Sequence, residues 1–438
     1  MAAATTSAPA GFPVGVLLRV RPNPSSRPPT LAVNPENKSV TLPQNRTFTF
    51  NGVYGSESTQ SQIWDRVQSV VDGVVDGFNG TILAYGQTSS GKTYTMLGPD
   101  WELGAQPDTH GVIPRAVSHI FARIQSLTSE EPDLEYAVSV SFLEIYQEQV
   151  RDLLVKADGS AVRELSIRQN KIGAMSVCGL LQIPVADVSK ALSVLQQGTI
   201  ARTTGDTQMN EKSSRSHAVF TVTLEQRAVV PLSQKPRVLR ISKLSLVDLA
   251  GSERLKRTGA EGIRFKESIK INTGLLALGN VISTLSSDAG HGRNGHIPYR
   301  ESKLTRLLED SLGGNAKTVM IACVSPSVQD LDETLNTLKY AHRARKIKNR
   351  PIINVVPQPE ESETAGGEEV EDDEEESVEE EPNEPEIAPA AKKELSGTDT
   401  EDDGWVRNVV EEFRVRTGKG LRESVLIFRL PQNDVSKC

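Results

Sequence analysis

Eight residues, Gly86-Gln87-Thr88-Ser89-Ser90-Gly91-Lys92-Thr93, constrain this chain more than any other feature. They fit the pattern G-x-x-x-x-G-K-[ST], and they follow Thr81-Ile82-Leu83-Ala84-Tyr85, an apolar stretch of strand length. Glycines let the backbone wrap closely around a phosphate, and the N–H groups of the loop and of the helix it opens point at the anion. In that arrangement Lys92 neutralises β- and γ-phosphate oxygens and the Thr93 hydroxyl holds Mg²⁺. A chance Gly/Ser-rich turn would not bring strand, loop and lysine together in register.

A phosphate loop needs a helix-flanked sheet to carry it, and the pattern up to about residue 356 supplies one. Val16–Val20, Ala137–Tyr146, Val219–Leu224 and Leu244–Asp248 read as strands. Gln60–Gly73 and Asp187–Gly198 have helical spacing, and Gly198 suits a helix C-cap. Strands interleaved with helices predict an α/β domain.

Two further segments carry chemistry. Asn210-Glu211-Lys212-Ser213-Ser214-Arg215-Ser216-His217 concentrates hydroxyls, an amide and a guanidinium just before a strand; read bare, it is also an ordinary polar surface loop. Asp248-Leu249-Ala250-Gly251-Ser252-Glu253 leaves a buried-looking strand. An aspartate at a strand's carboxyl end beside a phosphate loop can hold Mg²⁺ through water, and a glycine lets a backbone N–H approach a γ-phosphate.

These three segments resemble the P-loop, switch I and switch II of the kinesin superfamily. The resemblance runs from about Val14 to Asn354. It includes Arg19-Val20-Arg21-Pro22, Ser141–Tyr146, His296–Leu308 and Leu331–Ala341, and the last of these, continued through Ala344–Asn349, is most similar to the chromokinesin-like N-terminal motor group. The fold implied is the P-loop NTPase kinesin motor fold: a central, mostly parallel sheet flanked by helices on both faces. The activity implied is an ATPase stimulated by microtubules that moves toward their plus ends, with ATP and Mg²⁺ bound.

Residue by residue, the resemblance implies that Arg19 and Pro22 flank the adenine, Tyr94 stacks on it, and Gly86 to Thr93 cradle the phosphates. Ser213 and Ser214 contact the γ-phosphate and Mg²⁺, with Thr93 a direct metal ligand and Asp248 a ligand through water. Gly251 senses the γ-phosphate through its N–H. Arg215 and Glu253 form an ion pair when the switches close, and Glu253 helps activate the attacking water. Lys256, Arg300, Lys303 and Arg306 are the implied microtubule contacts, ahead of Arg254, Arg257, Lys266 and Lys270. Residues 12–346 are then the motor domain and 347–356 a neck linker, whose docking would bury Ile347 and let Asn354 bond to the core.

Charge and composition complete the picture. The formal net charge of the 438 residues is −8, but residues 360–438 carry 25 acids against 9 bases, so the preceding part is net basic and suits an acidic track. Sixteen acids and no base fall within 360–386, which predicts a disordered acidic linker over 357–403, followed by a short segment 404–438. Three scattered cysteines, Cys178, Cys323 and Cys438, match no disulfide or metal framework and point to a reducing compartment. There is no apolar run of membrane-spanning length and no secretory h-region. Without sustained heptads, a monomer is expected. The expected location is the cytoplasm and microtubule cytoskeleton, with room for a nuclear or spindle role. A passive microtubule-binding module and a nucleic-acid ATPase are the competing readings; the switch segments and linker do not imply nucleic acid.

Overall fold

The computed structural model describes residues 11–23, 30–99, 107–155, 165–169, 175–204, 214–228, 237–253, 263–287 and 296–356, without the side chains of 107, 204, 237–239 and 263–272. The acidic tract and the segment 404–438 therefore lie outside the described residues, as do Ser213, Arg254, Lys256 and Arg257.

Among the described residues, nine strands form the central sheet: β1 (Gly15–Val20), β2 (Gly52–Tyr54), β3 (Gly80–Tyr85), β4 (Leu134–Tyr146), β5 (Gln149–Asp152), β6 (Ile183–Pro184), β7 (His217–Ala228), β8 (Arg237–Asp248) and β9 (Lys317–Val324). Their order is β6-β4-β7-β8-β3-β9-β1-β2, with β5 paired to β4. Pairing is mixed where sequence reading expected it mostly parallel. It is parallel from β8 through β3, β9 and β1 to β2, and antiparallel from β8 through β7 and β4 to β6. The connections explain the split. Parallel neighbours need a long crossover, which β7–β8 and β4–β5 lack. The β4–β5 turn is made by Gln147 and Glu148, both at positive φ (51° and 63°), the twist that a two-residue hairpin demands.

Alternating side chains feed two cores. Leu17, Ile82, Phe142, Phe220 and Leu246 face one; Val16, Leu18, Leu83, Val219 and Val247 face the other. Helices α1 (Gln60–Val75), α3 (Val112–Glu130) and α4 (Val188–Thr204) cover the first face, while α5 (Ile263–Ser286), α6 (Lys303–Leu307) and α7 (Leu331–Ala344) cover the second. A five-residue helix, α2 (Lys92–Met96), starts where the phosphate loop ends. Helix α1 shows how sequence sets such an element. Thr59 and Gln62 close a reciprocal capping box, and Ile63, Val67, Val70, Val71 and Val74 make the buried stripe.

One expected boundary moves. Gly198 does not cap α4, which continues to Thr204. A Cβ at this position would collide with the ring of Phe142, so the glycine serves close helix-to-sheet packing instead.

Candidate active site

The phosphate loop joins β3 to α2 at the carboxyl end of the parallel strands, where open α/β sheets place their ligands. Gly86 has φ +150°, and a Cβ there would run into the Cys323 carbonyl oxygen; Gly91 caps α2 from the left-handed region at φ +98°. Both glycines are thus required by geometry. The Lys92 ammonium is buried and donates to the carbonyls of Gly86 (2.9 Å) and Gln87 (2.8 Å). Burial pushes its pKa down, and the nearby carboxylates of Asp248 and Glu253 oppose that shift.

Thr93 and Asp248 come together as expected. The Thr93 hydroxyl donates to Asp248 Oδ2 at 2.7 Å. Oδ1 of the same carboxylate is buried and has no hydrogen-bond partner among the described residues. An unused buried oxygen beside a hydroxyl fits a cation held through water, because hard divalent cations take oxygen ligands and keep several waters. Ser214, the other hydroxyl assigned to Mg²⁺, lies in the segment whose carbonyl accepts the Gly251 N–H at 2.8 Å. Switch I and switch II therefore touch through the backbone, and that N–H must leave Ser214 to reach a γ-phosphate.

Glu253 is engaged by the phosphate loop. Its Oε2 accepts the Thr88 N–H (2.8 Å) and its Oε1 accepts the Thr88 hydroxyl (2.6 Å). Thr88 is its hydrogen-bond partner among the described residues, so the geometry here is that of a carboxylate on the loop.

On the base side, the Tyr94 ring is half exposed, with the Arg19 guanidinium 5.2 Å from its centroid. Arg19 is locked by bonds to Gln60 Oε1 (2.8 Å), Thr95 Oγ1 (3.0 Å) and the Ser58 carbonyl (3.1 Å), and burial lowers its pKa. Pro22 is exposed. One face of Tyr94 is taken by a cation, and the rest of the ring can stack on a base.

Sequence reading missed Arg202. This buried arginine reaches from α4 to Asp248 Oδ2 (3.3 Å) and to the Ser216 carbonyl (3.1 Å), and its Nε lies 3.9 Å from buried Glu144. The available signal was Glu144, a carboxylate in the apolar run Leu143-Glu144-Ile145, which needs a cation once buried.

His217 starts β7 behind the site. Its Nδ1 accepts the Ala250 N–H at 3.0 Å, so its proton sits on Nε2. Burial, then Arg202 and Lys92, push its pKa down to about 3. In the unfolded chain it titrates near pH ~6.5, so below that value the unfolded state binds a proton that the fold excludes. Stability is complete above pH ~6.5 and falls as pH drops toward 3, by up to about 1.4 kcal/mol per pH unit from this group. His217→Asn, which keeps an acceptor for Ala250, is expected to flatten that fall in urea titrations between pH 6.5 and 4. Unchanged slopes would refute the assignment.

Of the proposed track contacts, Arg300 and Lys303 are exposed and Arg306 is half-buried. They sit around α6, whose start is fixed by a Ser302–Thr305 capping box and by the Lys303 N–H donating to Glu148 (2.7 Å). The side chains of Lys266 and Lys270 lie outside the described residues.

After α7 the chain is docked. Ile347 is fully buried, Lys348–Asn349 pairs antiparallel with Phe12–Pro13, and Asn354 bonds to Gly77 and Asn315. Asn349, which sequence reading did not single out, is a buried hub. Its Oδ1 accepts the Gly313 N–H (2.7 Å), and its Nδ2 donates to Ser311 O (2.9 Å), Ala316 O (2.8 Å) and Thr318 Oγ1 (3.1 Å). The helix that leads into this segment also meets the phosphate-loop strand, through stacked Tyr85 and Tyr340 rings with centroids 4.1 Å apart.

Comparison with known proteins agrees with this geometry. The kinesin motor domain family matches residues 26–347. Kinesin-like protein KIF7 of Mus musculus is 48% identical over 367 residues, covering 81% of this chain and 26% of that protein. Chromosome-associated kinesin KIF4 of Xenopus laevis is 46% identical over 354 residues, covering 80% and 28%. A solved structure of a fast kinesin aligns with a TM-score of 0.69 at 38% identity, covering 81% of this chain and 97% of the other. The chain spans about a quarter of the length of these two curated relatives. On motif order, site geometry and family match alike, the chain belongs to the kinesin motor domain family.

Proposed function

We propose that this chain hydrolyses ATP to ADP and phosphate, that microtubules stimulate the turnover, and that the cycle drives plus-end-directed movement by docking and releasing residues 347–356. The observation that carries the reading is the meeting of Thr93, Asp248, Lys92 and Glu253 around one phosphate loop.

In this reading Lys92 leaves its carbonyl partners for the β- and γ-phosphates, and the loop N–H groups hold the remaining oxygens. Thr93 and Ser214 would ligate Mg²⁺ directly and Asp248 through water; the ion's contribution is to neutralise charge on the phosphate oxygens. Ser213 adds a γ-phosphate contact. A water attacks the γ-phosphorus, the bond to the β,γ-bridging oxygen breaks, and the water's proton leaves along a path that includes Glu253. Closure brings Arg215 and Glu253 together, so the nucleotide state biases a loop equilibrium. The basic surface at Arg300, Lys303 and Arg306, with Lys256, would meet the acidic track. Similarity to a protein named as chromosome-associated supports a spindle role alongside a cytoplasmic one.

The test is phosphate release by the purified chain alone, with microtubules and with duplex DNA, followed by gliding of polarity-marked filaments. Stimulation by microtubules alone, with filaments led by their minus ends, is expected. Stimulation by DNA would overturn the partner, and slow turnover under every condition would overturn the motor.

A further inference from the structure

The contact between Glu253 and the phosphate loop has no slack. Both carboxylate oxygens accept from the same residue, the Thr88 N–H at 2.8 Å and the Thr88 hydroxyl at 2.6 Å. The preceding residue is fastened as well, since the Ser252 N–H donates to the Gly86 carbonyl at 3.1 Å. A Cβ on Gly251 would collide with both Glu253 oxygens and with Thr88 Oγ1, so backbone, carboxylate and hydroxyl are packed against one another. Hydrogen bonds from a hydroxyl to an ionised carboxylate are short and stronger than neutral ones.

We infer that Thr88 is a positioning residue that keeps Glu253 docked on the phosphate loop and so sets how often Glu253 is released to meet Arg215. This rests on the roles proposed above for Glu253 and Arg215. A guanidinium that engages a carboxylate through two parallel bonds needs both oxygens. Each oxygen could accept a second bond, but Thr88 holds both from the loop side, so a Glu253 that leaves the loop to meet Arg215 gives up at least one Thr88 bond. The backbone N–H bond is available to every residue at this position except proline. The hydroxyl bond is not, which makes it the adjustable part of the latch. Its loss is expected to shift the closing equilibrium about tenfold, a typical size for one hydrogen bond to a charged group.

The experiment is single-turnover ATP hydrolysis without microtubules, which isolates the chemical step from product release. Thr88→Val is expected to hydrolyse bound ATP about tenfold faster than the unaltered chain, and Thr88→Ser, which restores the hydroxyl, to stay within about twofold. In an Arg215→Ala background Thr88→Val should give no acceleration, because the released carboxylate has no guanidinium to meet. A purely structural role for Thr88 would slow hydrolysis or weaken nucleotide binding, and would do so with or without Arg215. The inference is therefore overturned if Thr88→Val is no faster than the unaltered chain, if Thr88→Ser behaves like Thr88→Val, or if acceleration persists without Arg215. Thr88→Ala runs beside Thr88→Val with a fluorescent ATP analogue; loss of binding in both would also overturn it, by making the side chain part of the loop's scaffold. Hydrolysis by the unaltered chain with no response to Thr88→Val sinks this inference alone, whereas no hydrolysis by the unaltered chain sinks the ATPase reading on which it rests.

Discussion

Lys92→Ala is expected to lower microtubule-stimulated ATP turnover at least ~100-fold while leaving the fold in place, because preorganised charge at a developing anion is commonly worth that much. The ammonium is held inside the loop by the carbonyls of Gly86 and Gln87, at 2.9 and 2.8 Å, partners that the phosphate oxygens would replace. It is buried, so its charge is poorly screened at the place where phosphate oxygens gain charge. The surrounding backbone does not depend on it. Gly91 keeps its left-handed cap, Thr95 and Met96 keep α2 anchored in the interior, and the Ser252 N–H still binds the Gly86 carbonyl. Circular dichroism should therefore match the unaltered chain. Turnover within about tenfold of normal would mean that another group neutralises the phosphates, and would reject the roles given to this loop.

How much of this was legible depends on how local each feature is. The phosphate loop was fully readable, since two glycines with positive φ, a lysine and a preceding strand are encoded within thirteen residues of chain. The strands were found where apolar alternation was strong, and β4 and β8 extend beyond their predicted cores because charged and polar residues can face outward in a strand. Gly198 was misread as a helix end because sequence shows a glycine's freedom but not its neighbour; the reason for it is Phe142, 56 positions away in the chain and adjacent in space. The same limit hid Arg202. Its partners Asp248 and Glu144 come from two different strands, and no spacing rule links an arginine near the end of a helix to either.

The switch segments were legible as motifs but not as geometry. Resemblance assigned Glu253 a partner in Arg215, while in this structure its carboxylate lies on Thr88. A motif specifies which groups act, but a bistable loop has more than one arrangement of those groups. The sheet's direction followed a similar rule. Its parallel half is written in the long crossovers between β1, β3 and β9, and its antiparallel half in the short connections around β5 and between β7 and β8.

Asn349→Ala is the change expected to separate hydrolysis from movement. The side chain makes one bond as acceptor and three as donor, all inside the protein, and it joins the segment after α7 to the turn around Ser311–Ala316 ahead of β9. Truncation removes the acceptor for the Gly313 N–H and a donor for the Ala316 carbonyl, and each buried group left without a partner costs about 1–3 kcal/mol. Two such groups give a penalty of about 2–6 kcal/mol, enough to shift the docking of residues 347–356 by roughly thirtyfold or more. Asn349 meets the start of β9 at Ala316 and Thr318, whereas the phosphate loop meets its other end at Cys323, and among the described residues none of the site's hydrogen bonds involves Asn349. ATP turnover by the variant is therefore expected to stay within about threefold of normal, while gliding velocity falls at least tenfold. Paired fluorophores on the core and at Val355 would report the loss of docking directly. Asn349→Asp tests the mechanism from the other side. It keeps an acceptor for Gly313 but sets a carboxylate against the Ser311 and Ala316 carbonyls, so it should impair docking at least as strongly as alanine does. Normal gliding by both variants would show that docking does not depend on this hub. Equal losses of turnover and velocity would show that Asn349 supports the whole domain rather than the segment that moves.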